Sequence, residues 1–174
     1  VKKIFSDKEL AKEMNEKGFQ FSSANSINIG RLVPQIVYYV YAYAKLLAEE
    51  KIADGEEINV VVPTGNFGNI LAAFYAKNMG LPIKKLICAS NANNILTDFI
   101  NTGIYDRNRP FYTTVSPSMD ILISSNLERL LFHLCGDNSE EIKKLFGALS
   151  EKGEYTVSEE MLTKIKNIFQ KTLD

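Results

Sequence analysis

The sequence predicts an α/β protein with a mostly parallel sheet and flanking helices. Three observations support this prediction: an apolar, β-branched run at residues 58–62, a segment with helical spacing at 70–79, and a second strand-like run at 83–90. Continuous apolar runs are typical of strands in a parallel sheet, which is covered on both faces. Because the connections are short, the three segments are expected to form one βαβ unit.

Ahead of this unit, the sequence predicts two helices and a short strand. Residues 6–17 form an amphipathic pattern with Ser6 as the expected cap. Residues 19–23 suit a short strand. A long helix is then expected to run to about Lys51, with Pro34 near its start, where the missing N–H of proline costs least.

After the unit, the pattern becomes mostly helical. A loop is expected at residues 105–110, following a polar stretch that can include a short helix. Helices are predicted at residues 123–135, with Asn126 as a possible cap, and at residues 139–153 and 158–173.

The composition is that of an ordinary soluble globular domain. The 174 residues include 20 basic and 21 acidic side chains, so no basic surface for nucleic acid is expected. No apolar run approaches the roughly 20 residues of a membrane helix, and no signal peptide is recognised. Cys88 and Cys135 lack the spacing of metal ligands, which favours a cytoplasmic protein with buried free thiols.

Residues 63–69, Pro-Thr-Gly-Asn-Phe-Gly-Asn, are the most informative stretch for function. They connect the carboxyl end of the first predicted strand to the start of a helix, where open parallel sheets usually bind ligands. Two glycines and the free N–H groups of a helix start together favour a phosphate site. The loop matches neither the Walker A pattern nor GxGxxG. The residues alone also allow a tight turn without a ligand.

A family resemblance extends this interpretation. The loop GNFGN after an apolar strand resembles the phosphate-binding loop of fold-type II pyridoxal-phosphate (PLP) enzymes. Residues 22–43, which contain SANSIN, resemble threonine synthases in particular, and so do residues 76–103 and 114–132. The resemblance covers nearly the whole chain in the same order, and implies that the chain carries a partial sheet from the middle of such an enzyme.

The resemblance implies a PLP-dependent carbon–oxygen lyase that converts O-phospho-L-homoserine and water to L-threonine and phosphate. It assigns the cofactor phosphate to Gly65, Asn66, Phe67, Gly68 and Asn69. It assigns the substrate phosphate to Asn25, Ser26 and Arg31. The residue types alone also allow Asn25 and Ser26 to cap a local turn, and Arg31 to be a surface cation.

The resemblance also identifies what is missing. The family's cofactor-anchoring lysine lies upstream in a Phe-Lys-Asp-type motif, and a downstream strand carries the group that meets the pyridine nitrogen; neither is found in this sequence. Residues 1–51 would end the smaller domain, and residues 52–174 would belong to the larger, PLP-binding domain. We therefore expect no catalytic residue, weak PLP binding, no turnover, and self-association through uncovered surfaces.

Other candidate sites are weaker. His133 is the single histidine and is expected to be structural, so no Ser/His/Asp triad is predicted. The aspartates show no metal-ligand spacing. Three alternatives stay open: another fold-type II PLP lyase or dehydratase, a stand-alone anion- or nucleotide-binding module without catalysis, and an interaction domain that uses the tyrosine-rich helix around residues 38–43.

Overall fold

The computed structural model describes residue 4 and residues 7–22, 24–25 and 27–171. In chain order, its helices are α1 (Lys8–Glu16), α2 (Ile29–Leu32), α3 (Ile36–Ala48), α4 (Gly68–Asn78), α5 (Ile95–Thr102), α6 (Leu127–Leu134), α7 (Ser139–Lys152) and α8 (Glu159–Ile168). Its strands are β1 (Ile58–Pro63), β2 (Ile83–Ala89), β3 (Ile104–Asp106), β4 (Glu154–Thr156) and β5 (Phe169–Lys171). Short 3-10 turns lie at Val33–Gln35 and Pro117–Met119.

The main sheet confirms the predicted fold class. β1 and β2 are parallel, with Val62 opposite Cys88, and α4 forms the connection between them. β5 adds a third parallel strand beside β2, with Phe169 opposite Leu86. The strand order is therefore β1–β2–β5, with β2 in the centre. A separate antiparallel pair is formed by β3 and β4.

The core is built around α4. Its small residues Ala72, Ala73 and Ala76 have no exposed surface, which lets neighbouring elements approach the helix closely. Leu86 and Cys88 of β2 are also fully buried. The helix thus holds the end of the candidate ligand loop, at Gly68, against a packed interior.

β1 is less covered than its sequence predicts. We expected a strand buried on both faces, but Val61 is 58% exposed and Asn59 is also exposed. The reason is position: β1 lies at the edge of the three-stranded sheet, and one of its faces has no layer packed on it in the described part of the chain. The apolar run identified a strand correctly but did not locate the sheet edge.

Three boundaries differ from the sequence prediction. Asp7 caps α1 by accepting hydrogen bonds from the N–H groups of Glu9 and Leu10, whereas the expected cap Ser6 lies outside the described residues. Residues 19–22 are irregular, because no neighbouring strand pairs with them among the described residues. α3 ends at Ala48, since Glu50 takes a positive φ of 54° that a helix cannot continue.

Three short strands were not predicted. β3 occupies the start of the expected loop at 105–110 and pairs with β4. The expected helix at 158–173 stops at Ile168, and residues 169–171 form β5 instead. Each strand has three residues and is defined by a partner far along the chain, so local patterns carry little information about it.

Among the described helices, none has both the length and the apolar character that a membrane span requires.

Candidate functional site

The site is centred on residues 64–69, which join β1 to α4. Phe67 has left-handed backbone angles (φ 63°, ψ 3°) and lies just before the first residue of α4, Gly68. The first hydrogen bond of the helix is donated by the N–H of Leu71 to the carbonyl of Phe67, at 3.1 Å. The earlier N–H groups have no carbonyl partner within the helix, which makes this end electropositive.

The ring of Phe67 faces the interior. It is 2% exposed and contacts the ring of Phe169 with 5.6 Å between centroids. This burial stabilises a left-handed conformation that is uncommon for a residue with a side chain. Only the backbone of Phe67 is therefore available to a ligand.

Gly65 is required by close packing. A Cβ at this position would lie 2.7 Å from the carbonyl oxygen of Ser118 and 3.2 Å from the Cα of Met119. The 3-10 turn at Pro117–Met119 thus presses directly on the loop. This contact gives residues 116–121, which contain the turn, a structural role that the sequence did not indicate.

The carbonyl groups of the loop are held on its inner side. The Oγ of Ser124 donates to the Gly65 carbonyl at 2.9 Å, and the Nδ2 and backbone N–H of Asn126 donate to the Asn66 carbonyl at 2.9 and 3.2 Å. Ser124 is 3% exposed and Asn126 is fully buried. The position of Asn126 just before α6 was predicted correctly, but its side chain makes no cap hydrogen bond and anchors the loop instead.

Helix α3 holds the other side of the loop. The hydroxyl of Tyr39 donates to Asn69 at both its Oδ1, 2.5 Å away, and its carbonyl, 3.1 Å away. The Nδ2 of Asn69 donates to the Oε1 of Gln35 at 3.0 Å. Burial raises the pKa of Tyr39 to about 12, so the phenol is a stable donor at neutral pH. The side chain of Asn69 is thus committed to the protein, and its N–H remains at the helix start.

A small cavity of about 210 Å³ lies against these residues. Residues 63–70 line it together with Gln35 and Ser118. Two of its features fit a phosphate group: the loop carbonyls are bonded on the inner side, and helix N–H groups lie at its border. The five predicted cofactor residues are therefore together at one cavity, although Phe67 and Asn69 offer it backbone rather than side chain.

The predicted substrate residues lie in the segment before α2 and, for Arg31, on α2 itself. The Oδ1 of Asn25 accepts from the N–H of Ile27 at 3.0 Å, which is the turn-capping arrangement that its residue type favours. The guanidinium of Arg31 donates to the carbonyl of Ala24. Both residues are exposed. Ser26 lies outside the described residues.

The 3-10 turn at Pro117–Met119, which packs against Gly65, is stabilised by a polar cluster that was not predicted from the sequence. The carboxylate of Asp120 accepts hydrogen bonds from the side chains of Asn91 and Asn93, at 2.6 and 3.1 Å, and from the N–H and Oγ1 of Thr114, both at 2.8 Å. These bonds, with that from the Thr114 N–H foremost, lower the pKa of Asp120. The signal in the sequence was the pair of asparagines directly after β2.

The remaining candidates have structural roles. A ring nitrogen of His133, Nε2, lies 3.1 Å from the hydroxyl of Tyr75, and its Nδ1 lies 3.3 Å from Asp137 on the same helix end. Within the described residues no group of three potential metal ligands occurs. Both cysteines are free; Cys88 is buried as predicted, with its pKa raised to about 11 by burial, but Cys135 is only half-buried.

Comparison with known proteins gives consistent relatives. The chain is 47% identical over 171 residues to human threonine synthase-like 1 and 41% identical over 180 residues to the threonine synthase of Eremothecium gossypii, with 97% of this chain covered in each case. PLP-bound threonine synthase from Brucella melitensis matches 98% of this chain at 42% identity, with a TM-score of 0.84. No protein-family model matches the chain. The chain spans 23% and 33% of the two relatives and 34% of the solved structure.

Proposed function

The chain is homologous to the threonine synthases along nearly its whole length, and from this relationship we propose that it forms the cofactor-phosphate site of a PLP-dependent lyase. The enzyme would convert O-phospho-L-homoserine and water to L-threonine and phosphate. One observation carries the proposal: the loop at residues 64–69 borders a cavity with its carbonyls bonded inward and a helix start beside it.

In this proposal the cofactor phosphate is held mainly by backbone groups. The N–H groups of Gly68 and Asn69 donate to it at the positive end of α4, and Gly65 lines the cavity beside them. The exposed side chain of Asn66, at the rim of the cavity, supplies a further donor. When bound, PLP supplies the electron sink that the lyase reaction needs.

The substrate phosphate would be bound by Asn25, Ser26 and Arg31. Arg31 uses one guanidinium nitrogen on the Ala24 carbonyl and has further donors in the same planar group, which suit a phosphate. Gln35 connects the two groups of residues, since it donates to the Arg31 carbonyl at 2.8 Å and accepts from Asn69. The proposed sites for the two phosphates are thus connected through one side chain.

The other parts of the proposal concern the parent enzyme. Residues 1–51 would end its smaller domain and residues 52–174 would lie in the larger one, with the anchoring lysine and the partner of the pyridine nitrogen supplied from outside these residues. The remainder would also cover the exposed apolar side chains of α3, among them Val37, Tyr38 and Tyr41. We expect the isolated chain to self-associate in light scattering, and the parent enzyme to act in the cytoplasm.

The direct test is phosphate release by the full-length enzyme. Purified holoenzyme is supplied with O-phospho-L-homoserine, with L-threonine and L-serine as substrates typical of related dehydratases, and inorganic phosphate and amino-acid products are measured. We expect equal amounts of phosphate and L-threonine from the first substrate alone. Consumption of L-serine or L-threonine without phosphate release from O-phospho-L-homoserine would contradict the proposal.

A second test separates the cavity from the reaction. The isolated chain is titrated with PLP, and binding is followed by absorbance and by competition with inorganic phosphate. Weak binding with the free-aldehyde spectrum, competed by phosphate, is the expected result. A borohydride-reducible bond to a lysine of this chain would show that the anchor lies within residues 1–174.

A further inference from the structure

Arg129 on α6 is connected to both of the segments that the proposed function assigns to phosphates: directly to residues 24–28, and through Asn126 to the loop at residues 64–69. One guanidinium nitrogen, Nη1, donates to the Oδ1 of Asn126, and the other, Nη2, donates to the carbonyl of Ile27 at 2.6 Å. Asn126 holds the loop through the Asn66 carbonyl. Arg129 therefore stands between the cofactor loop and the segment at residues 24–28.

We propose that Arg129 is a positioning residue that sets the spacing between the cofactor-phosphate loop and the substrate-phosphate segment. This inference rests on the proposed function and deepens it. It concerns how the two anion sites are held at a fixed separation, and Arg129 itself need not contact either ligand.

The connection from Arg129 through Asn126 to the loop is rigid. Asn126 is fully buried, and its side chain is used on both sides: the Nδ2 donates to the Asn66 carbonyl, and the Oδ1 accepts from Arg129. An asparagine with both ends of its amide bonded has one orientation. The guanidinium thus fixes the amide that fixes the loop.

The connection from Arg129 to the segment at residues 24–28 is a hydrogen bond to a backbone carbonyl rather than to a side chain. The Ile27 carbonyl belongs to the turn in which the N–H of Ile27 is bonded to Asn25, and Asn28 caps α2 by accepting from the N–H of Gly30 at 2.9 Å. Holding one carbonyl of this turn therefore positions Asn25 and the start of α2 together. Arg31 lies on α2 and moves with them.

The chemistry of the side chain suits this role. Among the ion pairs of the described residues Arg129 has no part, so its hydrogen bonds go to two neutral oxygens. A guanidinium has a rigid planar fork with a fixed distance between its nitrogens, whereas lysine carries one flexible nitrogen. The two nitrogens of the fork can therefore bind two acceptor oxygens at a fixed separation, as Arg129 does here.

The test uses the full-length enzyme with Arg129→Met and Arg129→Lys. Four quantities are measured: the dissociation constant of PLP from the apoenzyme, the dissociation constant of inorganic phosphate from the holoenzyme, KM for O-phospho-L-homoserine, and kcat. Arg129→Met is expected to raise both dissociation constants and KM about tenfold, as the loss of a charge-assisted hydrogen bond does, with kcat changed less than about threefold. Arg129→Lys keeps the charge and is expected to preserve only one of the two hydrogen bonds, either that to Asn126 or that to the Ile27 carbonyl.

Two comparison variants assign the effect. Asn126→Asp keeps an acceptor for Arg129 but removes the donor to the Asn66 carbonyl, so it should weaken PLP and leave phosphate affinity unchanged. Lys143 borders the same groove of about 900 Å³ as Arg129 and is paired with Glu140 at 2.7 Å, so Lys143→Met should change neither.

The outcomes are distinct. If Arg129→Met leaves PLP and phosphate affinity within about twofold of the wild type, or changes only one of them, or if the wild-type holoenzyme binds no phosphate, the inference is wrong. A lower thermal midpoint with unchanged affinities and KM would show a merely structural arginine. If the predicted binding changes occur but O-phospho-L-homoserine is not turned over, the inference holds and the proposed function fails.

Discussion

The loop at residues 64–69 and the segment at residues 24–28 are held in opposite ways. The loop is fixed from both sides by buried or half-buried side chains of other elements, chiefly Ser124, Asn126 and Tyr39. Asn25 and Ile27 of the segment are exposed, and the segment is held by bonds to Asn25 and Asn28, by Arg31 on the Ala24 carbonyl, and by Arg129 of α6. Under the proposed function, the cofactor site would be formed in advance, and the shape of the substrate site would depend on a few connections.

The largest expected effect comes from filling the space at Gly65. In Gly65→Ala the new methyl group meets the Ser118 carbonyl at 2.7 Å, and backbone has to move. We expect a loss of about 3 kcal/mol of stability, as for an overpacked core site, and loss of PLP binding. The thermal midpoint and PLP affinity of the full-length enzyme measure both effects.

Gly147 provides the control for that substitution. It lies inside α7, and a methyl group added there would have no neighbouring atom within 4 Å, so Gly147→Ala should stabilise the enzyme by up to about 1 kcal/mol. Equal behaviour of the two alanine variants would contradict the close packing of the loop.

Removing one inner anchor should have the next largest effect. Ser124→Ala leaves the carbonyl of the half-buried Gly65 without its hydrogen bond, at a cost of about 2 kcal/mol. Ser150→Ala, on an exposed hydroxyl bonded within its own helix, should leave the thermal midpoint unchanged. PLP affinity should fall in the first variant alone, and an unaltered affinity would show that the loop keeps its shape without Ser124.

The exposed segment should respond in binding and not in stability. Arg31→Met is expected to raise KM for the phosphorylated substrate about tenfold, or about 1.4 kcal/mol, with the thermal midpoint and PLP affinity unchanged. Lys45→Met removes an equally exposed cation on α3 and should change none of these quantities. A fall in PLP affinity in Arg31→Met would contradict the assignment of Arg31 to the substrate phosphate alone.

The smallest expected effect concerns the outer anchor, Tyr39. In the isolated chain, Tyr39→Phe removes the hydrogen bonds to Asn69 and should cost about 1 kcal/mol, whereas Tyr41→Phe, on the exposed face of the same helix, should cost nothing measurable. Thermal unfolding of the two variants gives the comparison.

The same tyrosine predicts a dependence on pH. The pKa of Tyr39 is about 12 in the folded protein and about 10 in the unfolded chain, so its contribution to stability is complete below pH 10 and is lost as the pH rises towards 12. Tyr39→Phe should therefore lose less stability than the wild type across this alkaline range. Equal losses in the two proteins would show that other groups control alkaline unfolding.

The sequence was sufficient to predict the helices and strands that depend on local patterns. β1, α4 and β2 follow each other with short connections, so periodicity and the glycines of the loop were sufficient to place them. The boundaries of α7 also followed from a cap and a terminal glycine, Gly153.

What the sequence could not give depends on distant partners. Ser124 and Asn126 are separated from the carbonyls they hold by 59 and 60 residues, and nothing in a serine or asparagine before a helix indicates that its bond goes so far. Asn126 was expected to cap α6, because that is the common role of its type at that position. β5 was missed for a related reason, since its three residues are a strand only beside β2.

The long reach of these anchors has a consequence for biosynthesis. A ribosome that has just released residues 64–69 has not yet made Ser124 or Asn126, and Phe169, whose ring contacts that of Phe67, is made later still. The loop at residues 64–69 of the nascent chain therefore lacks the contacts that hold its folded conformation. The loop cannot take its folded conformation during translation until β5 has been made and has paired beside β2, and the proposed capture of a phosphorylated cofactor would follow that step.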